Sequence, residues 1–479
     1  MPRMPKLDPN SDEFRAAGHR LVDWAADYLD GIEQYDVLSR VQPGDIEKQF
    51  AATAPDGGRP YDALLTDFAQ KIVPGITHWN HPAFFAYFSI TGSQAGILAE
   101  LLTAVINANG MVWRTSPSLT ELETVTLRWL RDALGLPSNL FAIINDTASI
   151  NSFLGLAAAR EALGLDIRMQ GMTGRELPPL RVYCSEHAHS SIEKAALALG
   201  FGVRGVVKIA SDDDYRMLPD ALEAAIARDR AAGALPCAVV ATLGTTSTAS
   251  VDPLPRVGEI AEREKLWLHV DAAYAGSAMI VPELRAMWNG IERADSIVVN
   301  PHKWMFTPID CSVLFTRHPE VLRNAFAVAE VPAYLTLTDS AEVNYMDYGL
   351  QLGRRFRALK LWMIFEHYGV ERLRNVIREQ IGFASRLAEE LQQRKGIELL
   401  ARPSFSVVVF RVVREDEAAS ERATTELIEQ MNASGQLFVS HTRLRGHYGI
   451  RVAIGNGATE WKHVAQIIEH VDRHTAAAR

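Results

Sequence analysis

The sequence predicts an α/β protein: a mainly parallel seven-stranded sheet, a smaller αβ C-terminal domain and an N-terminal helical segment. Seven short apolar runs recur at 141–144, 182–184, 206–209, 238–243, 267–270, 297–299 and 312–316, each of strand length. Helical patterns separate most of them, at 148–163, 191–199, 219–232 and 254–263. Strands alternating with helices imply crossover connections, and so parallel pairing with both faces of the sheet covered. The last three runs lie close together in sequence, which leaves room for a mixed portion of the sheet.

The flanking elements follow from the same periodicities. Residues 12–30 place Phe14, Leu21, Trp24, Ala25 and Tyr28 at helical spacing, with Ser11 as a cap and Asp12 and Glu13 at the positive end of the dipole. Helical patterns return at 60–72 and 93–106. Between them, 77–88 is rich in aromatics and has no helical period. So much apolar surface on separate helices needs a large surface to pack against, either a partner subunit or the rest of the chain. A further helix at 119–134 stops at Gly135 and Pro137. From about residue 350 a long helical stretch leads to strands at 406–412, 437–440 and 448–454 and a last helix at 459–473. The expected division is 1–93 for the N-terminal segment, 94–368 for the large domain and 369–479 for the small one.

Composition narrows the function. The 479 residues are 48% hydrophobic and 22% charged, ordinary values for a globular protein with a large core. The formal net charge of −9 offers no footprint for nucleic acid. The most apolar long stretch, 94–113, is interrupted by Glu100, Asn107 and Asn109, so no membrane span is expected. The first residues lack the apolar core of a secretory signal. Three widely spaced cysteines, Cys184, Cys237 and Cys311, suit buried thiols in a reducing cytoplasm. The expectation is a cytoplasmic enzyme.

Three motifs are set aside. Gly200-Phe-Gly-Val-Arg-Gly205 has the spacing of a dinucleotide loop, but a helix precedes it and a strand follows, the reverse of what that loop needs. It reads as a helix-to-strand turn. His187 and His189 have no cluster of other ligands around them, so no metal is expected. Asn432-Ala-Ser434 is a formal sequon without meaning in a cytoplasmic protein.

Two strand ends carry the chemistry. Trp267-Leu-His-Val-Asp-Ala-Ala-Tyr274 and Ser296-Ile-Val-Val-Asn-Pro-His-Lys-Trp304 are apolar strands that stop abruptly in polar residues. In an open parallel sheet, ligands sit at the carboxyl ends of strands, which is where Asp271 and Lys303 fall. Such a pair fits a plain salt bridge. It also fits a lysine carrying a Schiff base and an aspartate keeping a heterocyclic nitrogen protonated, as pyridoxal phosphate requires. Small Ala273 leaves room for a flat ring. The loop Asn145-Asp-Thr-Ala-Ser149 opens a helix whose free N–H groups suit a phosphate. Both features favour the second arrangement.

With these residues in place, a resemblance is plain. Asn300-Pro-His-Lys-Trp304, His269-Val-Asp-Ala-Ala-Tyr-Ala-Gly276, Ala188-His-Ser-Ser191, Leu243-Gly-Thr-Thr246 and Leu352-Gly-Arg-Arg-Phe-Arg-Ala-Leu-Lys-Leu-Trp362 resemble the group II pyridoxal-phosphate decarboxylases. Thr77-His-Trp79 and Ser116-Pro-x-x-Thr-Glu-Leu-Glu123 resemble the aromatic-L-amino-acid decarboxylases within that group. The similarity runs from about residue 10 to 475. It implies a type I, aspartate-aminotransferase-like fold, working as a homodimer with active sites at the interface.

Carried over position by position, the resemblance makes Lys303 the Schiff-base lysine and Asp271 the partner of the pyridine nitrogen. His189 would stack on the cofactor ring and Ala273 would pack on its other face, with Thr246 near the phenolic oxygen. Ala148, Ser149, Asn300 and His302 match phosphate-contacting positions. Tyr334, in Val331-Pro-Ala-Tyr-Leu335, matches a loop tyrosine associated with simple decarboxylation, where phenylalanine goes with oxidative conversion to aldehyde. The stretch 329–347 around it lacks any period, as expected of an active-site lid.

Trp79, Tyr87 and Phe88 match aromatic pocket positions, while Asn109 and Met111 depart from the apolar and aromatic residues that animal members of the family contribute there across the dimer. Gly353 sits where related plant enzymes carry glycine in indole-selective members. The chain also departs from the family at Ser89-Ile90 and at Asp146, which replaces a glycine beside the phosphate loop. The implied reaction converts an aromatic L-amino acid of the tryptophan, phenylalanine, tyrosine and dopa class to its arylalkylamine and carbon dioxide. Rival readings are an aromatic aldehyde synthase, a decarboxylase of non-aromatic amino acids, an aminotransferase and a cofactor-binding regulator without turnover.

Overall fold

The computed structural model describes residues 11–327 and 342–477. Its main sheet contains β1 (Phe141–Asn145), β2 (Leu180–Ser185), β3 (Val206–Ile209), β4 (Leu235–Thr242), β5 (Trp267–Asp271), β6 (Ser296–Val299) and β7 (Ser312–Thr316), in the order β1-β7-β6-β5-β4-β2-β3. The pairs β2·β3, β2·β4, β4·β5 and β5·β6 are parallel. β7 runs antiparallel to both of its neighbours, β1 and β6. The reason is local: β6 and β7 are joined through one helical turn, Pro301–Trp304, with no crossover helix to return the chain. Every residue of β5, β6 and β7 is buried, as a sheet covered on both faces requires. Helix Ala148–Ala162 packs closely on one face. A Cβ on Gly155 would lie 2.8 Å from the His269 ring, so only glycine lets this helix approach β5 so nearly. Gly200 and Gly202 have positive φ in the turn before β3, the role read for them.

The second sheet is antiparallel, in the order β10-β11-β9-β8, formed by β8 (Ile397–Leu399), β9 (Val407–Val412), β10 (Ser440–Leu444) and β11 (His447–Ala453). Here the sequence reading needs correction. The apolar run 437–440 is not the strand. Leu437 and Val439 are buried in the core, and Phe438 exchanges backbone hydrogen bonds with Ala83 and Phe85. The strand is the more polar Ser440–Leu444, paired through a tight turn in which Arg445 and Gly446 both have positive φ. The three-residue β8 went unread, and the last helix spans Trp461–Ala477. Helix Ala358–Gln392 links the two sheets and is broken at Gly369 (φ 70°, ψ 160°).

The N-terminal segment divides in two. Ala83, Phe84, Phe85 and Ala86 are fully buried against Leu387, Val408 and Phe410 of the small sheet and its helix. Helix Ser11–Asp30 buries no residue within the chain and leaves Phe14 61% and Leu21 52% exposed. Helix Gln94–Ile106 likewise exposes Leu98, Leu101, Leu102, Val105 and Ile106. Among the described residues no helix is long and apolar enough to cross a membrane.

Candidate active site

A cavity of about 190 Å³ opens at the carboxyl ends of the main-sheet strands. Each strand delivers its side chain there by stopping. β5 ends at Asp271, whose Oδ1 accepts the Ala273 N–H at 3.1 Å, so the carboxylate is aimed by its own turn. β6 hands over to Asn300 and the single turn carrying His302 and Lys303. Asn300 Oδ1 accepts from the Ser312 hydroxyl, and His302 Nδ1 accepts the Cys311 N–H at 3.0 Å. His189 follows β2 and caps helix Ser190–Ala198, with Nδ1 accepting the Ser191 N–H at 3.1 Å. That bond assigns Nδ1 and leaves Nε2 for the cavity.

The structure thus brings Lys303, Asp271, His189, Ala273, Thr246, Ala148, Ser149, Asn300, His302 and Phe88 around one space. Trp79 and Tyr87 are not on its wall. Trp79 stacks on Phe84 with ring centroids 4.4 Å apart and on Tyr87 at 5.7 Å, and Tyr87 is 50% exposed. Asn109, Met111 and Gly353 form a cluster elsewhere. Asn109 Nδ2 lies 3.7 Å from Met111 Sδ, and a Cβ on Gly353 would lie 3.7 Å from the same nitrogen. Tyr334 lies outside the described residues. Asp146 turns back onto its own loop, accepting the Thr147 N–H at 2.6 Å, with Gln351 at 3.4 Å on its other oxygen. Its carboxylate is therefore engaged away from the cavity.

Several residues of the site were not singled out in the sequence. Thr242, at the end of β4, lines the cavity with a buried hydroxyl that has no hydrogen-bond partner among the described residues. The strand-end rule that located Asp271 would also have found it. Tyr274 stands in the middle of a three-ring stack, 3.7 Å from Phe88 and 4.6 Å from Trp304 between ring centroids. No spacing rule reveals that stack, because its members are far apart in sequence.

The balance of charges and burial lowers the Lys303 amine's hold on its proton. Burial pushes the Lys303 amine down, Asp271 pulls it up and Arg451 pushes it down again. Its Nζ lies over the Phe88 ring, 5.3 Å from the centroid. Burial, with the Lys303 charge second, also holds His189 below the usual imidazole range. His269 and His302 are held down to about 4 and about 3, chiefly by burial. Their unfolded counterparts take up protons near pH ~6.5. Below that point the unfolded chain binds more protons than the folded one, so stability drains on acidification until the folded values are reached. The melting temperature is therefore expected to fall steadily from about pH 6.5 to 5, above the range of most carboxylates. A flat or rising profile in that window would contradict the burial of these rings.

The site's fit to a phosphorylated aldehyde can be tested on its own atoms. Helix Ala148–Ala162 begins with no side-chain cap, so its first N–H groups are left for an anion. Thr242, on the cavity wall, keeps a buried hydroxyl with no protein partner among the described residues. Asp271 and Lys303 supply a carboxylate and an amine at the cavity's base. The residues present fit pyridoxal phosphate.

Comparison with known proteins points the same way. The sequence profile described as the pyridoxal-dependent decarboxylase conserved domain matches residues 43–413. The chain is 38% identical to tryptophan decarboxylase 2 of Oryza sativa subsp. japonica, covering 95% of this chain and 93% of that protein. It is 39% identical to phenylacetaldehyde synthase of Arabidopsis thaliana, covering 95% and 94%. The crystal structure of Oryza sativa TDC with PLP and tryptamine superposes with a TM-score of 0.94 at 34% identity, over 99% of this chain and 100% of that one. Profile, relatives and architecture converge on one assignment: the chain belongs to the family of pyridoxal-dependent decarboxylases, and its cofactor is pyridoxal 5′-phosphate.

Proposed function

We propose that the protein decarboxylates aromatic L-amino acids of the tryptophan, phenylalanine, tyrosine and dopa class, giving the arylalkylamine and carbon dioxide. The observation that carries this reading is the single cavity in which Lys303, Asp271 and His189 meet the face of Phe88. The kinship to tryptophan decarboxylase 2 supports the substrate class.

In this reading Lys303 anchors the cofactor, Asp271 partners its ring nitrogen, and His189 and Ala273 enclose the ring. Thr246 sits at the phenolic oxygen, while Ala148, Ser149, Asn300 and His302 hold the phosphate end. Bound there, pyridoxal phosphate supplies an aldehyde for the substrate amine and a protonated ring that accepts the electron pair left as carbon dioxide departs. The chain's own contribution is orientation and charge. The uncapped helix start takes up negative charge at one end of the cavity, and Asp271 holds a proton at the other. The wall of Phe88 limits where a substrate's aryl group and carboxylate can lie, and such positioning accounts for much of catalysis. We assign Tyr334 the role of favouring simple decarboxylation.

We further propose a homodimer in the cytoplasm, with helix Ser11–Asp30 of the N-terminal segment 1–93 packing on the partner while 83–86 stays on its own small sheet, 94–368 as the large domain and 369–479 as the small one. The exposed apolar faces of helices Ser11–Asp30 and Gln94–Ile106 support the dimer. So does the distance of Asn109, Met111 and Gly353 from their own chain's cavity, since a second subunit would use them, with Trp79 and Tyr87, to shape the substrate end. All three cysteines are free and buried, which suits a reducing compartment.

One rival has a specific observation behind it: the relatives include a phenylacetaldehyde synthase. Product analysis of the cofactor-loaded protein with L-tryptophan, L-phenylalanine, L-tyrosine and L-dopa, each supplied alone, separates the two. Amine and carbon dioxide in equal amounts are expected. Aldehyde with ammonia and peroxide would establish the rival, and no turnover of any of the four would remove the aromatic substrate class.

A further inference from the structure

Arg451 belongs to β11 of the small sheet, yet its side chain reaches the back of the cavity wall, and the residue is only 4% exposed. Nε donates to the Thr246 carbonyl at 2.7 Å and Nη1 to the Ala86 carbonyl at 3.0 Å. It thereby joins the small sheet to the cofactor loop and to the segment carrying Phe88. The guanidinium carbon lies 4.6 Å from the centre of the Phe88 ring, the same ring that Lys303 Nζ faces.

Two features make this arginine more than a tie. Among the described residues no carboxylate forms an ion pair with it, and Nη2 has no hydrogen-bond partner. A buried cation without a counter-ion is destabilising, and a neutral donor could serve both carbonyls. The charge therefore needs a reason of its own. Nη2 is also closed off from the cavity, so it does not bind a ligand there. Four charged or titratable groups bear on Lys303: Asp271 from β5, His189 at the start of its helix, the adjacent His302, and Arg451 from β11. Asp271 favours the ammonium form. Arg451, packed behind Phe88, opposes it.

We propose that Arg451 is a positioning residue whose fixed charge, held behind Phe88 by the Ala86 and Thr246 carbonyls, keeps the Lys303 amine in its uncharged, carbonyl-capturing form. The proposal rests on the reading of Lys303 as the amine that captures the cofactor. In that capture the amine and the aldehyde condense to a C=N bond with loss of one water, which a protonated amine cannot do.

The test uses the apoprotein and the variants R451Q, R451M and R451K. Each is mixed with pyridoxal phosphate across roughly pH 6 to 9, below the value of about 10 to which burial brings the Arg451 guanidinium. Borohydride then reduces the C=N bond to a secondary amine, and mass spectrometry measures pyridoxyl-modified Lys303. The cofactor's own ionisations are the same in every sample, so differences in midpoint report the protein. In R451Q and R451M the midpoint should rise by about one pH unit, a roughly tenfold slower capture on its acid side. R451K should titrate like wild type. R451Q retains an N–H for the carbonyls, so the comparison survives if R451M does not fold. An unmoved midpoint in R451Q overturns the proposal. So does a midpoint in R451K raised as far as in R451Q, because the fit of the wall would then matter and the charge would not. Absence of modified Lys303 in wild type at every pH would sink the reading of Lys303 itself, and this proposal with it.

Discussion

Replacing Lys303 by alanine should lower turnover by about 10³–10⁴-fold while leaving the protein folded, the loss expected when the side chain that tethers the cofactor covalently vanishes. Lys303 stands on a single turn, Pro301–Trp304, whose neighbours are locked: the Trp304 indole Nε1–H donates to Gln380 Oε1, and His302 Nδ1 accepts the Cys311 N–H. The amine itself makes no hydrogen bond among the described residues and faces the ring of Phe88. Its removal therefore orphans no buried partner, and the cost to stability should stay within about 1–2 kcal/mol, an ordinary value for a single substitution. The folded variant should still bind the cofactor through the phosphate end of the site but show no covalent link to the chain. Carbon dioxide release, with absorption spectra of the loaded protein, checks both points. More than about a tenth of wild-type turnover in K303A would remove Lys303 from the chemistry.

What could be read from the sequence, and what could not, follows from how local each feature is. Asp271, Ala273 and Lys303 lie within a few residues of strands recognisable by their apolar runs, so the rule about strand ends places them without knowledge of the fold, whereas Asn300 and His302 on the same strand end are implied only by the resemblance. The loop 145–149 is legible for the same reason: β1 stops and a helix starts. Arg451 was out of reach because its partners, Ala86 and Thr246, lie hundreds of residues away and belong to other layers. The stack of Phe88, Tyr274 and Trp304 joins three distant segments in the same way. The misplaced strand at 437–440 has another cause. Its apolar residues are used by the core beside Phe84 and Phe85, so the ladder is left to the polar Ser440–Leu444, which hydrophobic periodicity cannot select. Asn109, Met111 and Gly353 illustrate the remaining limit: folding one chain gathers them together but away from the cavity.

Asp271→Asn should reduce kcat by roughly 10²–10³-fold, the scale seen when one preorganised electrostatic group is removed from an active site. Asparagine keeps the size of the side chain and an oxygen to accept the Ala273 N–H, so the turn after β5 should hold. What it loses is the negative charge at the base of the cavity. That charge acts twice. It would hold a proton on the cofactor ring, which matters most when the ring must take up an electron pair, and it opposes Arg451 at the Lys303 amine. The first effect belongs to the transition state, so kcat and kcat/KM should fall together, with KM changed by less than about threefold. The second has the opposite sign to the loss of Arg451: without Asp271, Lys303 should lose its proton at lower pH, and capture of the cofactor should shift toward acid. Steady-state kinetics and the borohydride trapping titration, run on the same variant, measure the two effects separately. If D271N kept more than about a third of the wild-type kcat, the carboxylate would have no part in the chemistry beyond aiming its own turn through the Ala273 N–H.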